Sequence, residues 1–174
     1  REDGWVGVDI EAANAEELLN RGRNSYNAGN FAGSEQAFGR FLDLYGESAE
    51  AAEALPILLP LLAISRIQQE KFAEALPVIE RFLSEIDERE PKWEEEMMFW
   101  RGVCQMLGED IASAERSLAE FIEAYPQSAK VQEAILLVAA CGTLRAAYVE
   151  THAYLEQRKD ELAPFNRGRA TVLQ

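Results

Sequence analysis

The sequence contains one histidine, two cysteines and no hydrophobic run of about 18 residues, the length that crosses a membrane. The histidine, His152, has no second His or Cys at helical spacing, so we expect no metal site. No glycine-rich phosphate-binding loop is present either. These absences exclude the commonest catalytic and cofactor-binding arrangements, and we expect a protein that is not an enzyme and needs no cofactor.

The two cysteines, Cys104 and Cys141, lie in apolar surroundings within predicted helices. Free cysteine is among the most frequently buried residue types, so the pair is interpreted as two buried thiols. A disulfide between neighbouring helices stays open from the sequence alone.

Basic residues are also scarce, since 17 Lys and Arg stand against 31 Asp and Glu and give a net charge of −14. Such a surface repels phosphate backbones and anionic lipid headgroups, because both are bound through Lys and Arg. Nucleic acid is therefore not an expected partner, and proteins or peptides with basic segments are favoured on charge. An acidic surface also serves solubility alone. The 174 residues, 48% of them apolar, suit one domain with its own core.

Short helical patterns alternate with turns along almost the whole chain, and no segment has the pattern of a strand. Turns are predicted at 29–30, 69–71 and 108–110, and a break is predicted at 142–143. Gly46 and Ser48 suit a helix C-cap and N-cap, while Pro56 and Pro60 predict a kink. The predicted helices span residues 15–28, 31–45, 49–68, 72–87, 92–107, 111–125, 130–141 and 144–162.

Three stretches share a spacing of small and large residues. The first has Gly22, Ser34, Phe38 and Gly46; the second has Ala63, Ala75 and Ile79; the third has Gly102, Ala114, Leu118 and Pro126. This spacing resembles the tetratricopeptide repeat (TPR), a helix–turn–helix unit of about 34 residues. The resemblance implies an all-α fold, a right-handed stack of antiparallel helix pairs with about three clear repeats and a degenerate fourth. It would occupy residues 15–162, between an extended arm at 1–14 and a tail or truncated element at 163–174.

The repeat ending at residues 121–128, with Phe121, Tyr125, Pro126 and Ser128, is similar to repeats of bacterial cell-envelope proteins. Outer-membrane assembly lipoproteins and the TPR partners of the Tol-Pal system are examples. A periplasmic or envelope-associated location is the expectation that this similarity implies. The chain begins at Arg1 without Met, which suggests that it is part of a longer protein.

Proteins of this family bind partners in a concave groove lined by the first helix of each pair. The middle of the predicted groove is apolar, so two interpretations stay open: tight packing hides it, or a partner, the arm or a second copy occupies it. The arm carries Trp5, Val6, Val8 and Ile10 and is expected to dock weakly there or to cap the first repeat. The predicted groove residues are Leu19, Arg23, Tyr26, Ile57, Leu61, Ile64, Ile67, Phe99, Trp100, Val103 and Met106.

Charged positions in the first helices narrow the possible partners. TPRs that hold a peptide carboxylate use Lys and Asn side chains at positions that correspond here to Leu19, Arg23, Leu61, Glu96 and Trp100. With one basic residue among them, that activity is not expected. Arg21 and Arg101 share a repeat position, and each contacts a ligand, pairs with a glutamate or lies on an exposed edge.

These observations predict a non-enzymatic scaffold that binds a peptide segment or a protein surface. The alternative is a structural module whose apolar face serves self-association. A third hypothesis is an acidic domain attached to an enzyme elsewhere in the same polypeptide.

Overall fold

The computed structural model describes residues 15–46 and 48–162, and every regular element within these ranges is helical. The all-α prediction is confirmed. The predicted arm at 1–14 and the tail at 163–174 lie outside the described residues. The elements are α1 (Ala15–Asn27), α2 (Phe31–Tyr45), α3 (Ala49–Ile67), α4 (Phe72–Glu85), α5 (Pro91–Leu107), α6 (Ile111–Ala124), α7 (Val131–Leu144), α8 (Tyr148–Gln157) and a 3₁₀ turn (Lys159–Glu161).

The chain divides into two compact units between Lys71 and Phe72. In the first unit, α1 packs against α2 and α3, and α2 packs against α3. In the second unit, each helix from α4 to α8 packs against the next one along the chain. Sequential packing across short turns produces antiparallel helix pairs, which is the helical-repeat arrangement that the spacing predicts.

Side-chain caps fix several helix starts. Ser48 accepts a hydrogen bond from the amide of Ala51 at the start of α3, which confirms the predicted N-cap. Asn30 and Asp110 do the same at the starts of α2 and α6. Each cap satisfies an amide that the first helical turn leaves without a partner. Pro91 occupies the first turn of α5, where a missing N–H does no harm.

The turns that follow α1, α3, α5 and α7 have one geometry although their sequences differ. Each contains a residue with positive φ: Gly29 (72°), Glu70 (60°), Glu109 (65°) and Ala146 (58°). The next residue then donates its amide to a carbonyl near the end of the helix, as in a Schellman motif. These bonds are Asn30 to Ser25 (2.8 Å), Lys71 to Arg66 (2.9 Å), Asp110 to Gln105 (3.0 Å) and Ala147 to Gly142 (2.9 Å). The residue with positive φ therefore marks the same position in each repeat, although its identity varies, and we use it to align the repeats.

The predicted break at residues 142–143 is wrong. Helix α7 continues to Leu144, and α8 spans Tyr148–Gln157 where the sequence predicted 144–162. Gly142 is buried within α7, where a Cβ would collide with the side chain of Thr151. This glycine allows two helices to approach closely, a role that the sequence pattern does not distinguish from helix termination.

Glycines play the same packing role in the first and third repeats. A Cβ at Gly22 would collide with the ring of Phe38, and one at Gly102 would collide with Leu118. Phe38 and Leu118 are fully buried. The small residue in a first helix and the large residue in a second helix therefore form one packing unit.

Candidate functional site

The predicted groove residues belong to both units and are therefore described in two groups. In the first unit, Leu61, Ile64 and Ile67 are buried within α3, while Ile57 on the same helix is exposed. Leu19, Arg23 and Tyr26 are half-buried on α1. In the second unit, Phe99 is buried, and Trp100, Val103 and Met106 are half-buried on α5. A groove formed by all eleven residues stays a prediction.

Helix α5 carries an apolar stripe at positions 100, 103 and 107, which lie on one side of a helix. Trp100 and Val103 pack on the edge of the core formed by α5, α6 and α7, and Leu107 is half exposed. Phe99 lies beneath them in that core, with its ring centroid 5.5 Å from that of Phe121. The stripe therefore packs against the core on one side and is partly exposed to solvent on the other.

Helix α7 repeats this stripe. Aligning the two turns places Leu137, Ala140 and Leu144 at the positions of Trp100, Val103 and Leu107. Leu137 packs on the edge of the same core, and Leu144 is 66% exposed. We refer to Trp100, Val103, Leu107, Leu137 and Leu144 as the α5–α7 face. Leu107, Leu137 and Leu144 are not among the predicted groove residues. For the two on α7, the misplaced break at 142–143 hid the register of the helix.

The indole of Trp100 is held in one orientation. Its Nε1 donates a hydrogen bond of 2.8 Å to Glu96 Oε1, and Glu96 Oε2 accepts one of 2.6 Å from Lys130 Nζ. Lys130 Nζ also lies 5.9 Å from the ring centroid of Phe99. Lys130, the residue before α7, thus holds Glu96, and Glu96 holds the indole of Trp100 in place at the edge of the face.

The loop between α6 and α7 is fastened to the first turn of α5. Tyr125 donates its hydroxyl hydrogen to Glu94 (3.0 Å), and Ser128 donates to Glu95 (2.6 Å). The hydrogen bond from Arg89 lowers the pKa of Glu94. Burial and then the bond to Glu94 raise the pKa of Tyr125 to about 12. The Tyr-Pro-Gln-Ser ending of this repeat thus keeps α5 and α7 together.

The environments of Arg21 and Arg101, which share a repeat position, differ in the structure. Arg101 Nη2 donates to Glu120 Oε2 at 2.6 Å, so pairing with a glutamate is confirmed for Arg101, whereas Arg21 is exposed.

In the first unit, Glu35 accepts hydrogen bonds from Arg66 (3.1 Å), Gln69 (2.9 Å) and Lys71 (2.6 Å). Glu35 thereby fastens α2 to the end of α3.

The described residues contain no group of three or more His, Cys, Asp or Glu side chains that could hold a metal ion. His152 is exposed on α8.

Cys104 and Cys141 are buried and free, as the sequence predicts, and burial raises the pKa of each thiol to about 11. Of the helices described, none is long and apolar enough to span a membrane.

Antiparallel helix pairs with a repeated turn and a glycine-to-large-residue packing unit define an all-α helical-repeat protein. Residues 96–128, which cover most of α5, all of α6 and the loop after it, match the family model of the tetratricopeptide repeat. The resemblance to the tetratricopeptide repeat is therefore confirmed over the third predicted repeat. This fold generally mediates interactions between proteins.

One solved structure supports the fold. The chain is similar to the apo form of RapI with 16% sequence identity and a TM-score of 0.59, covering 88% of this chain and 56% of that one. It is also similar to a tetratricopeptide repeat protein from Parabacteroides merdae, with 14% identity and a TM-score of 0.41, covering 91% of this chain and 73% of that one. The chain thus spans little more than half of RapI. No curated protein matches the sequence.

Proposed function

We propose that this chain is a non-enzymatic interaction module that binds a peptide segment on the α5–α7 face. The observation that carries the proposal is Trp100, a half-buried aromatic side chain fixed by Glu96 and bordered by further apolar positions. Tryptophan is enriched among the residues that dominate binding energy, and a fixed orientation lowers the entropy that binding must remove. An apolar stripe on a packed repeat helix suits the apolar side of a partner segment.

Charge supports a partner segment with basic flanks. The chain carries a net charge of −14, and acidic residues stand at the starts of both helices that bear the face. Glu133 is exposed in the first turn of α7, and Glu95 is half-buried in α5. Carboxylates beside apolar contacts favour Lys or Arg next to the apolar residues of the partner, mainly through the association rate. We therefore assign apolar anchors and basic flanks to the ligand.

The proposal is tested by selecting displayed random peptides on the intact chain and on the Trp100→Ala variant. Selection on the intact chain should enrich peptides with aliphatic or aromatic residues beside Lys or Arg, and Trp100→Ala should lose them. Tyr148→Ala, which removes an exposed aromatic side chain on α8, should retain them. Enrichment of acidic peptides, or equal retention by Trp100→Ala, would refute the proposed site.

A second candidate function is self-association. Leu144, Tyr148 and Val149 are more than half exposed and stand close together around the turn between α7 and α8. Exposed apolar patches often mark contacts between proteins. In sedimentation velocity, self-association through this patch predicts a sedimentation coefficient that rises with concentration. Val149→Glu should abolish that rise, and a concentration-independent monomer would exclude this candidate.

An envelope location is also proposed, supported by the similarity of the repeat ending at residues 121–128 to those of bacterial envelope proteins. Fractionation of the cells that produce the full-length protein tests it. Recovery with the cytosolic fraction alone would contradict it.

A further inference from the structure

The side of α5 opposite to Trp100 forms the floor of a polar cleft. Its walls are α4 and α6, and its volume is about 390 Å³, within the range of small-ligand sites. Arg101 and Gln105, one helical turn apart on α5, line the floor, while Ser84 and Ser117 lie on the walls. Since successive helical residues are rotated by about 100°, this pair is directed away from Trp100 and Val103.

Two buried polar atoms on this floor have no hydrogen-bond partner. Gln105 is only 9% exposed, and its Oε1 accepts no hydrogen bond. The Nε–H of Arg101 is likewise buried and unpaired, although Nη2 of the same side chain bonds Glu120. Nearly all buried polar groups in folded proteins are paired, so two neighbouring exceptions that line one cleft indicate a missing partner.

The unpaired atoms specify the chemistry of that partner. Arg101 Nε–H needs an acceptor and Gln105 Oε1 needs a donor. A peptide main chain supplies both, because the C=O and N–H of one residue in an extended segment are directed to the same side. The charges that line the cleft cancel, because Glu80 and Glu120 stand against Arg101 and Arg116. A neutral ligand is thus favoured over an ion. We propose that this cleft binds the main-chain amide of a peptide segment, at a site separate from the α5–α7 face.

The experiment is a titration of the ¹⁵N-labelled full chain with N-acetylglycine N-methylamide, a neutral probe with two peptide groups, followed by NMR. The Arg101 Nε–H and Gln105 side-chain signals should shift together and saturate. Gln105→Met keeps the side-chain shape without the acceptor and should weaken binding about tenfold, the cost of leaving one buried group unpaired. Trp100→Ala should bind the probe unchanged, which separates this site from the α5–α7 face.

A second variant keeps the test decisive if Gln105→Met does not fold. Arg101→Lys retains a positive charge for Glu120 but removes the Nε–H, and should weaken probe binding to a similar degree. Absence of a saturable shift, or binding by both variants as tight as that of the intact chain, would mean that water alone fills the cleft and would overturn the proposal. Saturable binding of acetate at the same signals without binding of the amide probe would overturn it as well.

Discussion

The repeat formed by α1 and α2 and the repeat formed by α5 and α6 share their packing residues and differ on their exposed sides. Gly22 over Phe38 matches Gly102 over Leu118, and both pairs are buried. Alignment of their turns, at Gly29 and Glu109, shows the difference. The positions of Trp100, Val103 and Leu107 on α5 are occupied by Asn20, Arg23 and Asn27 on α1.

This comparison separates two kinds of constraint on one repeat. The positions between the helices must keep size and shape, because interiors are closely packed. The outer positions of a first helix are free of that constraint, and there α5 carries apolar residues where α1 carries polar ones. The two repeats also differ on the side of the polar cleft. Arg40 stands at the position of Glu120, so the ion pair between Arg101 and Glu120 has no equivalent at Arg21.

Exchanging the outer residue between the two repeats should have the largest effect, and that effect is on binding. Trp100→Asn introduces the residue that α1 has at this position and should reduce binding of a selected basic–apolar peptide by about 2 kcal/mol or more, since aromatic hot spots contribute that much. Isothermal titration calorimetry measures the loss. The reciprocal variant Asn20→Trp should leave the affinity unchanged, and a loss in that variant instead would assign the site to the first unit.

Filling the shared glycine position should destabilise the second unit. Gly102→Val would place side-chain atoms within the space of Leu118, and overpacking of this kind costs about 1 to 3 kcal/mol. Urea denaturation measures the loss in the free energy of unfolding. The control is Gly39→Ala on α2, where nothing lies within 4 Å of the added Cβ and helix propensity favours alanine. Equal destabilisation by the two variants would show that packing is not the cause.

The sequence predicted these shared features well because they rest on local signals. Caps such as Ser48 and the glycine-to-large-residue spacing act within one helix pair, so their pattern survives in the linear sequence. Features without such a signal were not predictable. Gly142 was interpreted as a break because a glycine that lets two helices approach and a glycine that ends a helix look alike in the sequence. The burial of Gln105 depends on α4 and α6, which flank its helix.

Ion pairs between helices show the same limit, and Glu35 provides a test. Burial alone would raise its pKa, but the hydrogen bonds from Lys71, Gln69 and Arg66 outweigh burial and lower it. A carboxylate with a lowered folded-state pKa stabilises the fold fully above its unfolded pKa, near 4.5, and loses that contribution as pH falls through the folded value. Glu35→Gln should therefore cost about 1 to 2 kcal/mol at pH 7.

The pH dependence distinguishes this charge effect from lost packing. The difference in unfolding free energy between the wild-type chain and Glu35→Gln should shrink as the pH falls below about 4.5. Glu85→Gln removes an exposed pair with Arg81 and serves as control, with an expected change below about 0.5 kcal/mol at pH 7. A difference for Glu35→Gln that persists unchanged at low pH would contradict the assigned role.

The smallest expected effect concerns the turn that all four repeats share. Gly29 adopts its positive φ without strain, whereas Ala146 adopts the same conformation with a Cβ that crowds the backbone. Ala146→Gly should therefore stabilise the chain by about 0.5 to 1 kcal/mol, after the extra freedom that glycine gives the unfolded chain is subtracted. Gly29→Ala should destabilise it by a similar amount, because no atom lies within 4 Å of the added Cβ and only backbone strain changes. Thermal unfolding of both variants measures the two effects, and shifts of the same sign would show that the turns differ in more than their residue.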